Sequence, residues 1–403
     1  MAKTEKTTRR ARPAEPLSPV LRKRLAARLL DWYSRNQRDL PWRRTQDPYA
    51  IWVSEVMLQQ TQVDQVVPYY QRFMNAFPTM AALADAPRDA VLKVWEGMGY
   101  YSRARNLHET ARRIVEKHDG QFPTTYESVR DLPGLGAYTA GSVLSIAFNQ
   151  PFPAVDGNVQ RVLSRVFRIE SDPRKTPALH QITTSAQALI PKGKARDFNQ
   201  ALMEIGALVC RPQPKCEVCC WSNDCRAYQE MPDPAILPLR AVKKPRPHYT
   251  IAVGVIWKGD HVLIARRASS GFLGDLWEFP GGKLEANESL EACCAREVRE
   301  ELGLSVDVIA PFMSLKHAYS HFSITLHAFY CRYRRGRPQP KSASECRWVS
   351  IGKLSDYAFP KANKVLIEVL QKQGRRPATD MRRNCSRGSG VRDQRSGSVG
   401  LGV

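Results

Sequence analysis

No run of 18 consecutive apolar residues occurs in the 403-residue sequence, which excludes a hydrophobic transmembrane helix. The segment Met1–Pro16 is basic and polar and lacks the apolar stretch of a secretion signal. The chain is therefore expected in the cytoplasm, at the nucleoid if the cell is bacterial, as a monomer with no membrane partner. In a reducing compartment its ten cysteines are poor material for a disulfide framework. Five of them crowd between Cys210 and Cys225, which reads as metal chemistry. Acidic residues are the scarce class: 39 Asp and Glu stand against 61 Lys and Arg, a formal charge of +22. That balance points to a polyanionic partner, nucleic acid before membrane. About half of the excess lies in two terminal stretches without periodicity, 1–24 and 373–403. The rest still favours a phosphate-contacting surface.

A length of 403 residues favours at least two domains. From Leu17 to Gly206 the apolar spacing is three and four, predicting helices over 19–34, 49–60, 101–117, 137–148 and 194–209. Residues 231–248 are rich in proline and bases and suit a linker. Beyond them the period changes. Tyr249–Trp257 and His261–Arg266 read as strands around a Lys258-Gly259-Asp260 turn, followed by a helix over 288–302, strands over 323–332 and 345–349, and a helix over 361–372. The expected layout is a disordered N-terminus (1–18), an all-α domain (19–230), a linker (231–248), an α+β domain (249–372) and a disordered basic tail (373–403).

Three features of the helical part carry chemistry. Leu132-Pro133-Gly134-Leu135-Gly136 lies between helical segments, where Gly134 and Gly136 let backbone N–H groups reach a phosphate at a helix N-terminus; an ordinary glycine turn is the plainer alternative. Asp156 is placed to cap a helix over 157–168, and Glu55 interrupts an otherwise apolar and amide-rich helix. Two acids in different surroundings are what N-glycosidic cleavage needs: one protonates the leaving base and one stays ionised beside an oxocarbenium-like sugar. Finally, Cys210-x5-Cys216-x2-Cys219-x5-Cys225 supplies four thiolates for Zn²⁺ or an iron–sulfur cluster.

In order along the chain, SEVMLQQT, WEGMGYYSRARNL, LPGLGAYTAG and VDGNVQRV resemble the MutY family of adenine DNA glycosylases, within the endonuclease III superfamily, over residues 20–230. The resemblance implies a helix-hairpin-helix glycosylase fold and base excision of adenine mispaired with 8-oxoguanine or guanine in double-stranded DNA. It implies Glu55 as the acid at adenine N7, Asp156 as the carboxylate facing the sugar, and Tyr138 hydrogen-bonded within that site. Trp42, Leu58, Gln200 and Met203 would line the adenine pocket, and Gln60 and Tyr100 would wedge the duplex. Lyases of the superfamily carry a Schiff-base lysine where Tyr138 stands, so a monofunctional enzyme is expected. For the cysteines the resemblance implies a [4Fe–4S] cluster on Cys210, Cys216, Cys219 and Cys225. The family's first gap is one residue longer, and Cys220 is a spare thiol beside a ligand.

In the second domain, Gly282-x5-Glu288-x7-Arg296-Glu297-Val298-x-Glu300-Glu301-x-Gly303-Leu304 fills every fixed position of the Nudix box. Glu297, Glu300 and Glu301 share one helix face, where Mg²⁺ or Mn²⁺ would relieve their repulsion and activate water, with Arg296 as an internal partner. Trp277–Lys283 resembles the MutT family, which hydrolyses 8-oxo-dGTP, and a Nudix fold is expected. His317–Phe322 resembles the Phe-Ser-His loop of MutY proteins, implying that Ser320 and His321 read 8-oxoguanine in DNA. Two readings stay open: a recognition module alone, or one that additionally hydrolyses 8-oxo-dGTP.

Overall fold

The computed structural model describes residues 17–240 and 245–373. Expectations for 1–16, for 241–244 within the linker and for 374–403 in the tail lie outside the described residues. The chain divides into two compact units, 1–244 and 245–403.

The first unit is helical: α1 (Pro19–Asn36), α2 (Pro48–Leu58), α3 (Val63–Ala76), α4 (Met80–Asp85), α5 (Arg88–Trp95), α6 (Ser102–His118) and α7 (Tyr126–Arg130) precede the hairpin loop 132–136. After it come α8 (Ala137–Phe148), α9 (Gly157–Val166), α10 (Thr176–Leu189), α11 (Ala195–Leu208) and α12 (Arg226–Glu230). Local chemistry sets the starts. Ser18 accepts from Leu21 N–H ahead of Pro19, and Asp47 accepts from Tyr49 N–H ahead of Pro48. α2 is apolar on every side, so it runs through the middle of the unit with Tyr49 to Met57 all buried, packed on α3, α6 and α8. It stops at Leu58 rather than at the expected residue 60. The Arg103 guanidinium takes the carbonyls of Val56 and Met57 that a continuing helix would use, and Gln60 turns left-handed at φ 57°. α11 packs on α1, α8 and α9 around Leu29, Val162, Phe198 and Ile205. Leu237, within the expected linker, is 1% exposed and belongs to this same core.

The second unit is a seven-stranded mixed sheet with a helix on each face. Its strands are β1 (His248–Lys258), β2 (His261–Arg267), β3 (Trp277–Glu278), β4 (Gly281–Lys283), β5 (Ser305–Ala318), β6 (Ser323–Arg335) and β7 (Ala343–Ser350). The main path runs β3-β2-β1-β6-β5, with β4 on β1 and β7 on β2. β1 pairs with β6 in parallel and is buried continuously from Ala252 to Trp257, as a strand covered on both faces must be. α13 (Leu290–Leu302) buries Cys293, Cys294, Val298 and Leu302 on one face. α14 (Lys361–Gln373) buries Leu366, Ile367 and Leu370 on the other. β5 has no counterpart in the sequence reading. Pro311 and register shifts at Val308/Ala310 and Pro311/Met313 break its alternation, which an edge strand tolerates.

Candidate active site, cysteine loop and carboxylate helix

The helical unit opens into a cleft of about 1000 Å³. Glu55, Tyr138 and Asp156 line it, together with Trp42, Leu58, Gln200 and Met203. Gln60, Gly134 and Gly136 line it as well, whereas Tyr100 does not. Glu55 is 4% exposed, and Tyr138 Oη donates to its Oε2 at 2.5 Å. Burial pushes the Glu55 carboxyl up, against the hydrogen bonds of Tyr138 and Ser142, which pull it down. The Tyr138 phenol is itself pushed well up by burial, with the two nearby carboxyls adding to the effect.

Asp156 is the cap of α9: Oδ1 accepts from Val159 N–H at 2.7 Å and Oδ2 from Asn158 Nδ2 at 2.8 Å. Burial nevertheless pushes its carboxyl above the usual range. A cap stabilises by about 1 kcal/mol, less than the several kcal/mol that desolvating a carboxylate costs. Capping alone does not account for an aspartate here. From Asp156 a chain of contacts runs along α9. Asn158 Oδ1 accepts from Arg161 Nη2 at 2.8 Å, and Arg161 Nε donates to the Cys210 carbonyl at 2.7 Å.

The wall carrying Trp42 is a 3₁₀ turn, Pro41–Arg43, and Trp42 is 6% exposed, edge-on to Tyr70 at 5.2 Å. Glu204, on α11, fixes this turn. It accepts from Arg38 N–H, Nε and Nη2 and from Arg43 Nη1 and Nη2, all between 2.8 and 3.0 Å. The two guanidinium groups draw its carboxyl down to about 2 despite burial.

In the hairpin, Gly134 takes φ 76°, and a Cβ there would sit 2.7–2.8 Å from the Asn106 side chain, so only glycine fits. Gly136 caps α8, leaving the first N–H groups of that helix at the cleft.

Cys210, Cys216, Cys219 and Cys225 line one small cavity beneath Trp221. Cys220 is not part of that lining; its thiol is hydrogen-bonded to Cys219. Arg165, 1% exposed, spans the loop by donating to Cys210 Sγ (3.4 Å) and to the carbonyls of Arg211 (2.6 Å), Pro212 (2.9 Å) and Leu237 (2.9 Å). Trp221 Nε1 donates to Leu25 O, and Arg24 and Arg28 hold Asp224, so the loop is tied to α1.

In the second unit α13 starts at Ser289, which accepts from Ala292 N–H, and ends at Gly303, φ 67°. Arg296 is its hub, donating to Glu288 (2.7 and 3.0 Å), Glu297 (3.1 Å) and Glu300 (3.1 Å). Glu301 instead accepts from Gly281 N–H at 3.1 Å, and burial pushes its carboxyl up to about 7. The Glu297 carboxylate lies against Gly282, in the space that a Cβ would take. Among the described residues no group of three or more His, Cys, Asp or Glu side chains is placed to hold a single metal ion. Repulsion between these glutamates is met here by Arg296. Ser320 and His321 are exposed at the tip of the β5–β6 hairpin, closed by a Tyr319 N–H to Phe322 O bond of 2.8 Å. Beneath the tip, Tyr319 and Phe322 pack edge-on against Phe272 at 5.1 Å each.

Residues 53–187 match the profile of the HhH-GPD superfamily of base excision DNA repair proteins, and residues 252–369 match the NUDIX domain. Over 409 residues the chain is 35% identical to the human adenine DNA glycosylase, covering 88% of this chain and 74% of that protein. The chain belongs to the adenine DNA glycosylase family. The mouse adenine DNA glycosylase is likewise 35% identical, with 89% of this chain and 80% of that protein covered. The solved structure of a thermostable thymine-DNA glycosylase is 32% identical, spans 52% of this chain and 97% of its own, and superposes with a TM-score of 0.48.

As an adenine DNA glycosylase the chain is a DNA N-glycosylase of base excision repair, with its helical domain followed by a Nudix-fold domain. Four residues that shape the glycosylase cleft escaped the sequence reading: Arg103, Asn158, Arg161 and Glu204. Each is a polar or charged residue in a helix, a pattern that usually marks a solvated face. Arg103 lies within GYYSRARNL and Asn158 and Arg161 within VDGNVQRV, but no motif marks Glu204.

Proposed function

We propose that this adenine DNA glycosylase removes adenine paired with 8-oxoguanine or guanine, with Glu55 as general acid and Asp156 as partner of the developing sugar cation. The observation that carries the reading is one cleft holding two carboxyls in different surroundings, the drier one bonded to Tyr138 at 2.5 Å. Burial raises the Glu55 carboxyl and so favours the protonated form that a general acid needs to protonate the leaving base. The Asp156 carboxyl is raised by burial as well. A positive sugar forming beside it favours its ionised form, while its two donors hold the oxygens in place. Trp42, Leu58, Gln200 and Met203 would enclose the extruded adenine, Gln60 and Tyr100 would fill the gap it leaves, and Gly134 and Gly136 would meet the backbone phosphate. Tyr138 offers no amine for a Schiff base, so the product is an abasic site on an unbroken strand. A duplex with adenine opposite 8-oxoguanine tests this. Strand cleavage should follow alkali only, and fall roughly 10²- to 10⁴-fold in Asp156→Asn. Cleavage that is absent, or equal in the variant, sinks the reading.

The four-sulfur cavity suits a [4Fe–4S] cluster on Cys210, Cys216, Cys219 and Cys225. Its thiols surround a space rather than converge on a point, and Cys220 stays outside it. Such a cluster would close the loop between α11 and α12 on itself and take no part in breaking the glycosidic bond.

For the second domain, the exposed Ser320 and His321 favour reading of 8-oxoguanine in DNA by the hairpin tip. A second reading, Mg²⁺- or Mn²⁺-dependent hydrolysis of 8-oxo-dGTP, is favoured by the filled Nudix box and by the buried Glu301 carboxyl over Gly281. Phosphate release from 8-oxo-dGTP and Mg²⁺, wild type beside Glu300→Gln, decides it. No release above the variant ends the second reading.

A further inference from the structure

Arg103 is a buried cation, 7% exposed, with no carboxylate paired to it among the described residues. Burial lowers its pKa to about 10, which still leaves it charged at neutral pH. Its charge is met by backbone and rings instead. Nη1 donates to the carbonyls of Val56 (3.0 Å), Met57 (2.8 Å) and Gln59 (2.6 Å), at the negative end of α2. Nη2 donates to Thr61 Oγ1 (3.2 Å) and to the Gly99 carbonyl (3.3 Å). The guanidinium carbon lies 5.3 Å from the Trp95 ring centre and 5.4 Å from that of Tyr100. One planar fork thus joins two loops that are far apart in sequence: the turn after α2 and the loop before α6.

Each loop holds a non-glycine residue in the left-handed region, Gln60 at φ 57° and Tyr100 at φ 48°. Such conformations persist only where the surroundings over-determine them. The residue common to both surroundings is Arg103. We propose that Arg103 is a positioning residue for extrusion, locking the Gln59–Thr61 turn and the Gly99–Tyr100 loop into a single preformed wedge. This rests on the reading of Gln60 and Tyr100 as wedge residues. Lysine keeps the charge but loses the fork, so its ammonium cannot serve the carbonyls of both loops at once.

The test separates extrusion from bond breaking. Single-turnover adenine release from a duplex with adenine opposite 8-oxoguanine should fall roughly 10- to 100-fold in Arg103→Lys. With 2-aminopurine in place of the adenine, the fluorescence rise on binding should drop to about half or less of the wild-type value at saturating protein, since that signal reports unstacking alone. In a background of Gln60→Ala and Tyr100→Ala, Arg103→Lys should add little further loss, because it acts through those residues. Thr61→Val removes one acceptor of the fork without touching the cation, and should shift both readouts the same way by a smaller factor. It keeps the test open where Arg103→Lys does not fold. A full fluorescence rise with a slowed rate, an unchanged rate, or fully additive losses overturns the proposal. A wild-type protein that releases no adenine overturns the underlying reading instead.

Discussion

Tyr138 and Glu55 form a hydrogen bond that has a direction in pH. The phenol donates to the carboxylate and so lowers a pKa that burial raises. Removing the hydroxyl in Tyr138→Phe raises the Glu55 pKa further, and its acid form then survives to higher pH. The alkaline limb of the single-turnover pH–rate profile should move up in this variant. A limb that stays or moves down contradicts Glu55 as the acid. Glu204 runs the opposite way. Its carboxyl is held down at about 2 when folded, so it contributes stability above its unfolded value near 4.5 that is lost as pH falls toward 2. On the order of 3 kcal/mol is at stake at pH 7. Urea unfolding should show Glu204→Gln less stable by about that much at pH 7, with the gap narrowed to less than half at pH 3 and closing toward pH 2; an equal gap at pH 7 and pH 3 refutes the linkage. At this scale the acids were legible because SEVMLQQT and VDGNVQRV carry them. Glu204 and Arg103 were not, since pairing across 161 to 166 residues, or with backbone carbonyls, leaves no local spacing to read.

Among the elements, α9 is the one that joins chemistry to architecture. Asp156 caps it, Asn158 and Arg161 follow on the same face, and Arg165 one turn on reaches Cys210 Sγ. Arg161→Met removes the Cys210 carbonyl contact and the anchor of Asn158 together. It should lower both iron and sulfide content per chain and the rate of adenine release, measured on one preparation. Loss of either quantity with the other fully retained counts against the coupling. Helices α1, α6, α8 and α11 were legible from apolar spacing, because each buries one face or all faces. The end of α2 was not, since Arg103 sets it from 45 residues away or thereabouts along the chain, as its bonds to Val56, Met57 and Gln59 show. β5 was hidden by Pro311 and three register shifts, which an edge strand survives and an alternation rule does not.

For the molecule as a whole, every residue assigned to base removal lies within residues 1–244, and Ser320 and His321 lie in the second unit. A chain cut at 244 should keep adenine removal opposite guanine and lose most of its preference for 8-oxoguanine as the opposing base. Comparison of single-turnover rates on the two duplexes checks this; an undiminished preference removes the hairpin tip from the account. The change of period near residue 249 made the two-part layout readable, and the formal charge of +22 pointed to nucleic acid. What the second unit does was not readable, because a filled Nudix box states which ligands are present and not how they are engaged.

Gly282 turns that ambiguity into a genetic question. A methyl group at this position would press on the Glu297 carboxylate, the mobile end of a side chain, and displace it while every charged residue of the box remains. The fold should tolerate this, and the hairpin tip has no part in it. Gly282→Ala is therefore expected to be a separation-of-function allele. If the domain hydrolyses 8-oxo-dGTP, cells carrying it would leave their nucleotide pool unguarded while still mending their DNA.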